Sequence, residues 1–159
     1  MNPIAGDATR SDQVPVSATL ADVEFPISPA PDAVEFWDGV ERGELMLPWC
    51  GACEAPFWYP RTACPRCGDR TTDWVPSPGR GTVHAFCITH QPLVAHLRDR
   101  VPYVTALVDL DEDVRMMGLL DVAPDPSAVH VGMGVVVEFV PTATRKIPRF
   151  RPRPEGDRP

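Results

Sequence analysis

"CGACEAPFWYPRTACPRCG", residues 50–68, holds four of the five cysteines in the chain. Two Cys-x-x-Cys pairs, Cys50/Cys53 and Cys64/Cys67, stand ten residues apart. Each pair sets two sulfurs on one tight turn, facing a common point. Two such turns brought together offer a tetrahedral four-thiolate site, the donor set that suits Zn2+. Gly51 and Gly68 each follow a cysteine, where a sharp backbone turn aims amide N–H groups at sulfur. The ten-residue insert lets the chain leave one knuckle, form a short strand and return. Four thiolates close the coordination shell, whereas a catalytic zinc keeps a position open for water. The spacing therefore predicts that Cys50, Cys53, Cys64 and Cys67 hold a structural Zn2+. That ion would supply folding free energy to a ribbon too small to hold a core alone.

Upstream, residues 32–42, "DAVEFWDGVER", read as a short helix within a segment 31–44. Asp32 is placed to cap its N-terminus and Gly43 to stop it. Val34, Trp37 and Val40 recur at helical spacing with Phe36 beside them. That face is large for so short a helix and must pack on the domain or on a partner chain. Phe36, Trp37 and Val40 are candidate partner contacts, as are Phe57, Trp58 and Tyr59 of the insert between the cysteine pairs. Residues 1–30 lack any helical or strand period, and read as flexible or as extended chain laid against something.

Downstream the period changes to that of strands. The ribbon, residues 45–76, gives way to a barrel over residues 77–144. "GRGTVHAFCITH" puts Val83, Ala85, Cys87 and Thr89 on one face of a first strand. "VPYVTALVDLD" and "VRMMGLLDV" form a hairpin across the acidic turn "DLDEDV", and "VGMGVVVEFV" is a fourth strand. "LVAHLRDR" suits a helical turn. The chain is thus mostly β, with no alternation of strand and helix that would make a parallel sheet. A five-stranded OB-type barrel fits, and so does any other small all-β barrel.

Composition narrows the function. The 159 residues are 43% apolar, enough for a core, with no apolar run of membrane-spanning length. The first residues have no basic start followed by an apolar block, so they do not read as a secretory signal. A cytoplasmic protein is expected, and there clustered cysteines favour metal over disulfides. Residues 1–144 carry 9 basic and 20 acidic groups, which disfavours nucleic acid as a partner. Residues 145–159, "RKIPRFRPRPEGDRP", carry 6 basic and 2 acidic groups and read as a basic, proline-rich tail.

No catalytic constellation stands out. Cys87, between Phe86 and Ile88, is expected to be a buried structural thiol. The even offset between His84 and His90 places both on one strand face and Cys87 on the other. His96 and His130 fall in loops as surface histidines. "GRGT" lacks the lysine and helix of a phosphate loop. "DLDEDV" lacks the glycine and terminal glutamate of a calcium loop.

The ordered set of elements resembles the DUF35 family. It runs "FWDGVERGEL", "WCGACEAPFWYPRTACPRCG", "WVPSPGRGTVHAF", "PYVTALVDLDEDVRMMGLL", "VGMGVVVEF" and "IPRFRP", over about residues 33–152. The resemblance implies an N-terminal helical segment, a rubredoxin-like zinc ribbon and a C-terminal OB-fold. It also implies an accessory, non-catalytic subunit of a thiolase-superfamily enzyme: a thiolase, an acyltransferase or a steroid side-chain retro-aldolase. Such a subunit completes its partner and helps shape the channel for CoA, so acyl-CoA is met through the partner. No residue is assigned to CoA by the match. Two alternatives remain: a nucleic-acid-binding ribbon and OB protein, and an iron electron carrier, since "CPRCG" is similar to a rubredoxin knuckle.

Overall fold

A computed structural model describes residues 20–70, 72–91 and 95–154. After an extended lead-in, Pro31–Ala33 form a 3-10 turn that runs into helix α1, Val34–Arg42. Gly43 ends the helix in the left-handed conformation at φ 83°, and its N–H reaches back to Val40 O. The expected cap by Asp32 is not made. No side chain caps the start, and Pro31, which has no N–H to satisfy, opens the turn instead.

The ribbon is a three-stranded antiparallel sheet of β1 (Leu45–Cys50), β2 (Ala55–Pro56) and β3 (Thr72–Ser77). β1 lies in the middle, paired along its whole length with β3 from Leu45↔Ser77 to Cys50↔Thr72. The two-residue β2 returns the chain beside Trp49 and Cys50. Strand β1 therefore delivers Cys50 to the knuckles at one end. At its other end Leu45 and Leu47 enter the main core.

Five strands close the barrel in the order β4–β5–β6–β8–β7. They are β4 (Arg80–Thr89), β5 (Tyr103–Leu110), β6 (Arg115–Leu120), β7 (Gly134–Val140) and β8 (Ile147–Pro152). All neighbours are antiparallel except β6 and β8, whose parallel register is Leu119↔Arg149 and Leu120↔Phe150. This is the OB arrangement. Gly79 makes the turn into β4 at φ 66°, where an added Cβ would fall 2.1 Å from Val137 Cγ1. The 3-10 turn Ala95–Arg100 fills the β4–β5 connection, as the sequence led us to expect.

Two expectations are corrected here. The tail assigned to residues 145–159 supplies the fifth barrel strand, β8, so the barrel extends past residue 144. Its prolines and arginines hid a strand whose Phe150 is completely buried. Cys87 is exposed, not a buried thiol. The register slips between Val83↔Val108 and Ala85↔Leu107, a β-bulge that leaves His84 unpaired. Past the bulge the alternation inverts: Phe86 and Ile88 pack on the core, while Ala85 and Cys87 face outward.

One core runs through helix, ribbon and barrel. Phe36, Val40, Leu45 and Leu47 meet Val83, Val104, Val108, Met116, Val135 and Phe150. A second cluster lies under the lead-in. Leu20 and Val23, both buried, pack with Leu97, Tyr103 and Ile147. Of the segment read as flexible or extended, residues 1–19 lie outside the described residues. Residues 20–30 open with a turn at Ala21–Asp22 and form no helix or strand, and Val23 O accepts from the Ala143 N–H beside the barrel.

Candidate metal centre and partner surface

The four cysteines of the opening stretch come together at one end of the ribbon. Their sulfurs all lie within 4.8 Å of one another. Cys50 and Cys67 sulfurs are 3.6 Å apart, and those of Cys53 and Cys64 3.9 Å. A tetrahedron with metal–sulfur bonds of about 2.3 Å has edges of about 3.8 Å, close to these two distances, so the four sulfurs are gathered as a four-thiolate ion requires. Cys50 and Cys64 are buried, Cys53 is half-buried and Cys67 is exposed. The site thus sits at the rim, shielded on its inner side by Phe57, which is 2% exposed.

The two knuckles turn at the same place but with different residues. Gly68 follows Cys67 at φ 79°, as its place in the sequence suggested. In the first knuckle the left-handed residue is Glu54 at φ 48°, after the second cysteine, and Gly51 does not play that part. The reason is registry: in both knuckles the chain reverses after the second sulfur. The Arg66 N–H donates to Cys64 Sγ at 3.4 Å, and Cys64 N–H bonds Asp69 O at 2.8 Å to close the second loop.

The thiols bear on one another. The Cys53 thiol is pushed up to about 12 by the Cys67 thiol, then by burial and by Cys50 and Cys64. Burial also pushes Cys64 up, but backbone N–H groups of Cys67 and Arg66 outweigh it and hold that thiol at about 7. Four sulfurs this close cannot all ionise unaided, because each thiolate raises the cost of the next. A bound cation removes that cost. The donor set is soft and closed, which suits a structural ion.

The candidate partner residues separate into two groups. Phe36 at 4%, Val40 at 0% and Phe57 at 2% exposure are spent on the chain's own interior, so these three candidate partner contacts pack on the domain itself. Phe36 stands edge-to-face with Trp37 and Trp58, with ring centroids 5.1 and 5.2 Å away. Trp37 is half-buried and touches both apolar clusters, with the Arg145 guanidinium 5.1 Å over its ring. Trp58 is half-buried against the main core, and Tyr59, edge-on to it, is 53% exposed. Val34, which the sequence placed on the apolar face of α1, is 46% exposed at the start of that helix. Across a groove from it, Trp74, Pro48, Arg61 and Thr62 belong to the ribbon.

Sequence reasoning missed one polar cluster. His84 Nδ1 lies 2.9 Å from Asp109 Oδ2, while Arg115 Nε lies 2.6 Å from Asp109 Oδ1. Arg115, then His84, hold the Asp109 carboxyl below the usual range. The bulge that frees His84 and the hairpin register Asp109↔Arg115 build this cluster, and neither is written in local sequence. His96 packs edge-on against Phe25 at 4.9 Å, and His130 is exposed.

Comparison with known proteins follows the same division of the chain. Residues 37–73 match the family model "ChsH2, rubredoxin-like zinc ribbon domain", and residues 74–140 match "ChsH2, C-terminal OB-fold domain". The chain belongs to the DUF35 family, in its ChsH2 form. It is 38% identical over 115 residues to the 3-oxo-4,17-pregnadiene-20-carboxyl-CoA hydratase alpha subunit of Mycobacterium tuberculosis, covering 69% of this chain and 34% of that protein. It is 34% identical over 122 residues to a probable enoyl-CoA hydratase alpha subunit of Thermomonospora curvata, covering 74% and 36%. The chain thus spans about a third of the length of these curated relatives. Among solved structures, a chain of the "Ltp2-ChsH2(DUF35) aldolase" superimposes with a TM-score of 0.70 at 29% identity. The match covers 79% of this chain and 98% of that one. Membership in the DUF35 family accounts for the ribbon-then-barrel order and for the four-cysteine cage. Among the described residues, no helix is long and apolar enough to cross a membrane.

Proposed function

We propose that this DUF35 chain is the non-catalytic accessory subunit of a thiolase-superfamily enzyme that acts on acyl-CoA. The observation that carries the reading is its superposition over nearly the whole of a chain in an aldolase named for two components, Ltp2 and ChsH2(DUF35). The hydratase alpha subunits among its relatives support a CoA thioester as the substrate of the assembly. The metal at Cys50, Cys53, Cys64 and Cys67 is Zn2+ in this reading. It clamps the ribbon and leaves the reaction to the partner's residues. Iron would fill the same cage, and metal analysis separates the two.

The partner seats on the side where α1 meets the ribbon. Tyr59 and Val34 are the large apolar groups left exposed there, with Trp37 and Trp58 behind them. The subunit acts in the cytoplasm, in a hetero-oligomer, and helps shape the partner's CoA channel. Co-expression with a thiolase-like chain tests this. One complex of fixed stoichiometry is expected by size exclusion, with partner activity that falls when this subunit is withheld. A partner that is fully active alone, with this chain eluting apart from it, would overturn the reading.

A further inference from the structure

We draw no further inference here: the strongest candidate, the apolar groove of about 220 Å³ on the outer face of β4, β5 and β6 around Cys87, Leu107 and Met117, is an unpartnered sheet face, and nothing in the structure shows what covers it.

Discussion

Glu138 Oε1 lies 2.6 Å from Arg149 Nη2, and the two residues are register partners across β7 and β8. Arg149 is 8% exposed, and the same Nη2 reaches Asp121 Oδ2, just past the end of β6, at 3.1 Å. One guanidinium therefore ties together three chain segments where the parallel β6–β8 ladder is short.

Removing Glu138 should loosen that seam. Taking away one partner of a buried ion pair costs about 3–5 kcal/mol, because the other charge is left uncompensated. Glu138 is 27% exposed and Asp121 remains, so Glu138→Ala is expected to cost about 2 kcal/mol. Urea unfolding followed by tryptophan fluorescence reads this as a lower midpoint with an unchanged slope. An unchanged midpoint would mean that the arginine is solvated and the seam does not depend on it.

Two glycines make a matched pair of tests. Gly43 and Gly79 both have positive φ, but nothing lies within 4 Å of a Cβ built on Gly43. On Gly79 that Cβ would meet Val137 Cγ1 at 2.1 Å. Gly43→Ala should cost only left-handed backbone strain, about 1 kcal/mol. Gly79→Ala adds overpacking, and its cost should exceed that by about 1–3 kcal/mol. Equal thermal shifts for the two would show that the β4–β7 corner yields freely.

The contrast between those glycines and β8 shows what the sequence could tell. Cysteine spacing, the Gly43 stop and the "DLDEDV" hairpin are local signals, and each appears where its residues place it. Strand β8 is not a local signal. "IPRFRP" looks solvated until Glu138 and Asp121, distant in the chain, neutralise Arg149. The bulge at His84 is likewise set by how β4 must fit β5, and it decides that Cys87 faces outward. The cage could be read from four letters and their spacing. Which apolar side chains stay exposed could not, because only packing shows that Phe36, Val40 and Phe57 are consumed internally.

Loss of one thiolate should empty the cage. Cys64→Ser is expected to drop bound metal from one ion per chain to near zero, by elemental analysis. Near-ultraviolet circular dichroism should change through Trp58 and Trp74. The barrel, whose core does not include the cage, should keep its far-ultraviolet signal. A colourless protein with stoichiometric zinc excludes iron; visible thiolate-to-iron absorption would reverse that assignment.

Metal binding should weaken in acid. Cys53, at about 12 in the metal-free cage, must lose a proton to bind at any pH near neutral. The Cys53 backbone N–H lowers the Cys50 thiol, but burial and the Cys67 and Cys64 thiols outweigh it and push it up, so Cys50 must lose a proton too. Cys64, at about 7, is already a thiolate above that value and adds a further competing proton below it. Apparent affinity should therefore fall as pH drops, by about tenfold per pH unit for each displaced proton, and more steeply below about pH 7. Chelator competition across that range measures the slope. A slope that does not steepen below about pH 7 would remove Cys64 from the ligand set.

Three aromatic residues separate docking from folding. Tyr59 is 53% exposed, so Tyr59→Ala should leave the unfolding temperature of the isolated chain unchanged. If Tyr59 anchors the partner, the same change should weaken the complex by about 2 kcal/mol, some thirtyfold in Kd. Phe57→Ala opens a cavity beside Cys50 and Cys64 and should cost about 3 kcal/mol or more. Its effect on the complex should then follow the loss of the ribbon. Trp37→Ala removes the ring that links both apolar clusters and carries Arg145, so stability and binding should fall together. Calorimetry on the complex and on the isolated chain compares the three. If Tyr59→Ala binds the partner as tightly as the parent chain does, the α1–ribbon side is not the docking face.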